Sequence, residues 1–376
     1  MSPSCLLINE RAALERYLPD LSSALAERPL LDLERRGSDI AALFKQSGGP
    51  ALTVPADLDG LGASALDSVR VQQAIAAKSP SLAAASSMHH LSIATLIEHS
   101  STGTDAEKDL VKGVVSARML LASGFSEGTP GGTAFRPTVL AIPTDRGFTV
   151  HGQKKPCSLA RSMDLLTASV VEEDTGGQRR GVIVIPATTP GISVRRFWET
   201  DVLAASESDE VVLENVFVPS ELVFWNDVDD PTGQHEKTAY MWFGLLTTAT
   251  YLGAATALLE RLLVSGKAEP ESYVSAAAEI ELATTAIEGI AQIFDAGDRS
   301  DDLSAKLLFC RQALKTNLPQ NVVGLVGALG GINFIRQPEI AYLASVVNAI
   351  AFHPPSRKSA VEALLSFHSG EPLVLR

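Results

Sequence analysis

The chain has 376 residues, 45% hydrophobic and 20% charged, enough apolar side chain for two or three packed units and too little charge for a disordered chain. A formal net charge of −13 and an isoelectric point near 5.0 argue against a sequence-independent grip on nucleic acid, which needs clustered Lys and Arg. Three dispersed cysteines, Cys5, Cys157 and Cys310, offer neither a disulfide framework nor metal-ligand spacing, so no metal site is expected and a reducing compartment fits.

The opening stretch MSPSCLLINERAALERYLPDL acquires Glu and Arg before any apolar run of signal-peptide length. No later segment carries about 18 uninterrupted apolar residues, so a soluble, cytoplasmic protein without a membrane partner is expected. From Glu10 to about Val115 apolar residues recur every three or four positions, which predicts amphipathic helices. Gly48, Gly49, Pro50, Pro55, Gly60 and Gly62 mark a loop between them. Near Leu120 the period changes: TVLAIP, GFTVHGQK, LLTASVV, GVIVIP and EVVLENVFVP are short, rich in β-branched residues and punctuated by Gly, Pro and Asp. They predict an antiparallel, barrel-like sheet unit. After WNDVDDPTGQHEK, helical spacing returns and predicts a C-terminal four-helix bundle. The expected architecture is α+β, mainly α, with a helical domain over 1–120, a β domain over 121–226 and a helical bundle over 227–376. The bundle's Ala-rich faces permit close approach of a second subunit, so a homodimer or homotetramer is expected, although Ala is also simply a good helix former.

Five stretches in chain order carry a family resemblance: LTVPADLDGLGASALDSVRVQQAIAAKSPSLA, ASGFSEGTPGG, GFTVHGQKKPCSLARSMDLLTASV, PGISVRRFWETDVLAASESDEVVLENVFVPSELV and GALGGINFIRQPEIAYLASVVNAI. Together they resemble the acyl-CoA dehydrogenase superfamily of flavoproteins over most of residues 50–360. The resemblance implies FAD, with FMN or loosely held reduced flavin as variants. It puts Phe125, Ser126, Gly131 and Gly132 along the flavin or the thioester, and Pro156, Cys157 and Ser158 beside the N5 edge of the ring. The residues themselves suit this, since glycines let backbone amides approach a planar ligand and a serine hydroxyl can donate or accept. They also fit a plain Gly-rich turn with Ser126 as a local cap.

The pattern departs from the dehydrogenases at the base that removes the weakly acidic α-proton of an acyl thioester. The position of the usual glutamate falls on His353, and the alternative position falls on Phe243; Glu236 and Glu260 lie at other helical phases. An Arg-Asp pair on the last family helix reads Ala344-Ser345, a Gln before the Gly-Gly turn reads Gly327, and the arginine that reaches a flavin pyrophosphate is replaced by a segment holding only Lys267. A lysine there is a point charge without the guanidinium fork. A second branch of the fold, the flavin-dependent monooxygenases of the dibenzothiophene type, resembles GQKKPCSLARSMDLL, the pair His89-His90 and His353-Pro354 at matching places. Its chemistry with reduced flavin and O₂ needs neutral donors and no carboxylate base.

Two functions are therefore expected. The first is α,β-desaturation of an acyl thioester on CoA or a carrier protein with His353 as base, passing electrons to a transfer partner. The second is a two-component monooxygenase fed by a flavin reductase, acting on a small molecule with His89, His90 and His353 about the flavin. A catalytically silent or flavin-free member of the fold is the third class. Other readings of the same residues are structural: His353 fits a helix end ahead of Pro354 and Pro355, His89 and His90 fit a helix contact, and Cys157 fits a buried small hydrophobe. Lys154, Lys155, Arg179, Arg180, Arg195 and Arg196 read most simply as solvated charges, or as contacts to a CoA or carrier phosphate.

Overall fold

The computed structural model describes residues 6–102, 105–128, 136–174, 177–225, 234–266 and 268–374. Apolar periodicity in the first third folds into α1 (Ile8–Tyr17), α2 (Pro19–Ala26), α3 (Leu30–Glu34), α4 (Ile40–Gln46), α5 (Ala65–Ala76), α6 (Pro80–Thr102) and α7 (Asp105–Ser116). Ser64 starts α5 by accepting the Asp67 N–H at 3.1 Å. The start of α6 is capped from a distance. Glu34, 2% exposed, receives the hydroxyls of Ser79 and Ser81 at 2.6 Å each and the Ser81 N–H, and also accepts from Tyr342 of the C-terminal bundle.

The sheet comprises β1 (Leu121–Gly124), β2 (Leu140–Thr144), β3 (Gly147–Cys157), β4 (Leu165–Asp174), β5 (Gly177–Pro186), β6 (Ile192–Arg195), β7 (Asp209–Pro219) and β8 (Val223–Trp225). Its order is β6-β7-β3-β2-β4-β5-β8, with β1 on β4. Most pairs are antiparallel; β1 runs parallel to β4, and β2 touches β4 in parallel at Leu140 and Val171. The β3/β7 register slips between Lys154 and Cys157, where Pro156 has no N–H to give the ladder.

The bundle is α8 (Gln234–Val264), α9 (Pro270–Asp295), α10 (Asp301–Leu329), α11 (Gly331–Arg336), α12 (Pro338–Asn348) and α13 (Arg357–His368). Helix α8 is the axis on which α5, α6, α9, α10 and α12 all pack. Its stretch Lys237–Val264 is long and apolar enough to cross a membrane by length and composition, but 89% of its most apolar window is buried here. The N-terminal helices and the bundle are pinned by the Arg70–Glu288 fork at 2.6 and 3.1 Å, by Arg11–Glu260 at 2.6 Å, and by Asp295 accepting the N–H groups of Ala65 and Leu66.

Helices α5 and α8 approach closely at Gly253. A Cβ on Gly253 would lie 2.3 Å from the Gln73 carbonyl oxygen and 2.8 Å from the Ala76 Cβ, so no side chain fits there. Gly253→Ala is expected to lower the unfolding free energy by about 1–3 kcal/mol. Gly289→Ala, at a helical site where a Cβ meets nothing within 4 Å, should stabilise by up to about 1 kcal/mol. Parallel urea titrations check both; equal effects would refute the crossing geometry.

Candidate active site

Where the sheet meets the bundle, a mainly apolar cavity of about 1160 Å³ opens, walled by the sheet, α6, α8, α12, α13 and the loop 352–356. On the sheet side, the slip at Pro156 turns Pro156 and Ser158 inward beside Phe125 and Ser126. The loop 125–128 is held by Glu127, whose carboxylate takes the Thr138 and Val139 N–H groups, the Thr138 hydroxyl at 2.6 Å and the Lys154 ammonium at 2.7 Å. Lys154 is fully buried and also donates to Ser169 Oγ, so it is no solvated strand charge. Its ammonium helps hold Glu127 below the usual carboxylate range against the opposing effect of burial.

On the bundle side, His353 faces the cavity between Phe243 and Tyr251, with ring centroids 5.4 and 5.6 Å away. Tyr251 Oη lies 3.2 Å from His353 Nδ1. Behind it, Arg311 is completely buried and donates to Gly244 O, Thr247 Oγ1, Thr248 Oγ1 and Pro354 O at 2.7–3.0 Å. Lys315 donates to the carbonyls of His353 and Pro355. Among the described residues neither cation has a carboxylate partner. Desolvation first, then Arg311 and Lys315, push the His353 imidazole down to about 3, and desolvation with Arg311 lowers Lys315 to about 8. At neutral pH, His353 is uncharged.

Three hydroxyls form a chain on the sheet wall. Ser206 Oγ donates to Leu203 O at 2.7 Å, Ser206 and Ser208 lie 2.8 Å apart, and Ser208 and Ser158 lie 2.9 Å apart. The segment turns tightly because Leu203 and Glu207 both adopt left-handed φ, 60° and 54°. It is anchored by the Leu203 N–H donating to Tyr342 Oη at 3.1 Å, the same tyrosine that donates to Glu34.

Of the candidate site residues named from the sequence, Phe125, Ser126, Pro156, Ser158 and His353 line this cavity together, and so do Phe243, Ser345 and Arg180, the last read from the sequence as a solvated charge. Gly131 and Gly132 lie outside the described residues, as does Lys267. Cys157 does not line it: alternation along the strand turns its thiol into the core, where burial pushes it up to about 12. His89 and His90 do not line it either, because α6 presents Ala84, Met88, Leu91 and Thr95 to the cavity. His89 Nδ1 instead accepts the Leu121 N–H at 3.1 Å, so its Nε2–H donates to Pro50 O at 3.0 Å, a fully satisfied core histidine. His90 sits 3.4 Å from Thr53 Oγ1, edge-on to Phe44. The sequence reading missed Ser206, Ser208, Tyr240, Tyr251 and Arg311. Tyr240 and Tyr251 repeat at helical spacing with Phe243 along α8, which was the available signal; the rest come together only across long separations.

A helical domain, a mixed sheet and a bundle around a cavity at their junction define the acyl-CoA dehydrogenase fold, and the chain belongs to the acyl-CoA dehydrogenase superfamily of flavin-dependent oxidoreductases. Within it, the sequence is 42% identical over 369 residues to the isobutylamine N-hydroxylase of Streptomyces viridifaciens, covering 96% of this chain and 98% of that one. KijD3 in complex with FMN and dTDP-3-amino-2,3,6-trideoxy-4-keto-3-methyl-D-glucose superposes with a TM-score of 0.82 at 20% identity, covering 98% of this chain and 95% of that chain. TdsC from Paenibacillus sp. A11-2 with FMN and indole gives 0.81 at 19%, covering 96% and 98%. No family model matches the sequence.

The flavin implied by this membership fits the cavity. The volume exceeds what one drug-sized ligand needs, leaving room for a second small molecule. The sheet wall offers hydroxyls to ring heteroatoms, and the buried Tyr240 hydroxyl has no hydrogen-bond partner among the described residues.

Burial holds the His89 ring down to about 4 and that of His90 well below its ordinary value. Their folded-state values lie below the unfolded one, so between pH 6.5 and 4 the unfolded chain binds more protons and stability falls as pH falls. Each such histidine gives a slope of about 1.4 kcal/mol per pH unit. His89→Gln should flatten the measured slope by about one such increment in urea titrations stepped through this range; an unchanged slope would contradict the assignment.

Proposed function

We propose that the protein is a flavin-dependent monooxygenase that N-hydroxylates a small primary amine, using flavin that a separate reductase delivers already reduced. The observation that carries this reading is the neutral His353 imidazole standing before two cations at the place where a desaturase needs a carboxylate. Near Arg311 and Lys315, with its pKa pushed down to about 3, that imidazole is a poor base for an α-C–H. The one carboxylate lining the cavity among the described residues is Glu362, exposed on α13 at the rim. Glu260, one of the two carboxylates of α8 singled out from the sequence, is taken by Arg11, and the side chain of the other, Glu236, lies outside the described residues. Among the described residues, desaturation of an acyl thioester, the other expectation, therefore finds no well-placed base.

The similarity to an isobutylamine N-hydroxylase over nearly the whole of both chains supports an amine as substrate. So do the apolar lining residues Met88, Leu91, Phe243 and Leu308, which suit a short branched chain. The two uncompensated cations disfavour an ammonium ion there and favour the free base, the form whose nitrogen lone pair can be oxygenated. Phe125, Ser126, Pro156 and Ser158 would hold the ring on the sheet side, and Tyr240 would supply a further polar contact. FMN suffices, as in the two neighbours that carry it. Reduced flavin supplies the two electrons with which O₂ is divided, one oxygen going to the substrate nitrogen and the other leaving as water. What this chain adds is a water-poor chamber, a neutral imidazole fixed by Tyr251, and carbonyls locked by Arg311 and Lys315 so that the imidazole keeps its place. The exposed apolar residues Leu282, Val323 and Ile335 on α9, α10 and α11, each at least 70% accessible, support self-association as a homodimer or homotetramer.

The test supplies chemically reduced FMN, O₂ and isobutylamine and follows the hydroxylamine by mass spectrometry. Product is expected, and it should disappear when only oxidised FMN is supplied. Anaerobic bleaching of bound flavin by an acyl-CoA would overturn the proposal in favour of desaturation. His353→Ala should reduce hydroxylamine formation about 100-fold or more; full turnover in that variant would remove His353 from the mechanism.

A further inference from the structure

The hydroxyl chain on the sheet wall has a fixed direction. A serine hydroxyl has one proton to give. The proton of Ser206 is committed to Leu203 O at 2.7 Å, so the 2.8 Å contact between Ser206 and Ser208 has Ser208 as donor. With the Ser208 proton spent, the 2.9 Å contact to Ser158 has Ser158 as donor. Protons therefore run from Ser158 through Ser208 and Ser206 to the backbone, and Ser158 turns only lone pairs to the cavity. Leu159 N–H donating to Ser206 O and Ala160 N–H to Glu207 O bind the two segments together, so the hydroxyls cannot drift apart and reverse the order. All three serines line the cavity and are buried.

We propose that Ser206 and Ser208 are positioning residues that make Ser158 a pure acceptor, so that the site selects reduced flavin, whose N5 carries a hydrogen, over oxidised flavin, whose N5 is itself an acceptor. This rests on the flavin reading above and on Ser158 meeting the N5 edge. Facing the oxidised ring, two acceptors would meet with no proton between them, a mismatch that disfavours the complex. Facing the reduced ring, the N–H donates to Ser158. The chamber then takes its cofactor from the reductase in the useful form and releases it once oxidised. Nothing in the sequence around ASESDE announces this role, since the segment reads as a polar turn before a strand.

The test measures dissociation constants of FMN in both redox states, the reduced form anaerobically, for the wild-type protein, Ser206→Ala and Ser208→Ala. The wild type should bind reduced FMN at least tenfold more tightly, equivalent to a bound midpoint potential about 30 mV above that of free FMN. Ser208→Ala frees the Ser158 proton directly. Ser206→Ala frees it by letting Ser208 donate to Ser158. Each should shrink the ratio severalfold, mainly by tightening oxidised FMN. A purely structural role would weaken both states alike and leave the ratio and the potential unmoved, as would an N5 edge seated elsewhere; an unmoved ratio in both variants overturns the inference while the flavin reading stands. Absence of binding in either state by the wild type would overturn the flavin reading, and this inference with it.

Discussion

The buried guanidinium of Arg311 is the constraint on which the bundle side of the cavity depends. Burying a charge without an opposite charge is costly, and here hydrogen bonds from the two Nη groups offset part of that cost while Nε has no partner among the described residues. Here the acceptors are the Gly244 carbonyl and two threonine hydroxyls on α8, and the Pro354 carbonyl beyond α12. One turn along α10, Lys315 takes the carbonyls on either side, those of His353 and Pro355. Two consecutive prolines have no N–H with which to build local structure, so the loop's carbonyls need outside donors, and α10 supplies them. Burial first, and then the same two cations, keep the His353 imidazole neutral, and the cations make the chamber unwelcoming to another positive charge.

The opposite wall uses charge differently. Lys154 and Glu127 form a buried pair, and every remaining oxygen lone pair of consequence on Glu127 is met by the N–H and hydroxyl groups at the start of β2. A buried pair of this kind adds little net stability, but it fixes the loop that carries Phe125 and Ser126 relative to β3. The register slip at Pro156 and the left-handed turns at Leu203 and Glu207 then bring hydroxyls from two strand ends into one chain. Both walls thus bring uncharged polar groups, Ser158, Ser206 and Ser208 on one side and Tyr251 on the other, to a mainly apolar space whose lining also includes Arg136, Arg180, Lys358 and Glu362.

The proposed function places the difference between a desaturase and an oxygenase of this scaffold in the cavity. Under the proposed function, a missing carboxylate would remove the means of taking a carbon-bound proton, while a neutral imidazole and a row of hydroxyls would orient an uncharged nitrogen. The fold therefore says little about the reaction, and the charge state of the few groups at the junction says most of it.

By itself the sequence determined the architecture, because the hydrophobic period is a local property: a shift from three-to-four spacing to alternation and back marks helices, sheet and bundle wherever the chain is cut. The family-like stretches also implied that Pro156, Ser158 and His353 meet at one site, and these three line the cavity, while Cys157, expected with them, turns into the core. Tertiary structure decided which way His89 and His90 point. Helix α6 is buried on nearly all sides, so no polar face marks its orientation, and adjacent residues diverge around a helix by about 100°. Tertiary structure alone also brought Arg311 to a loop 43 residues away and Ser158 to Ser208, 50 residues apart, and turned Lys154 inward. Such contacts depend on how whole elements pack against one another, and a linear pattern of residue types does not encode which distant partners will satisfy a buried donor.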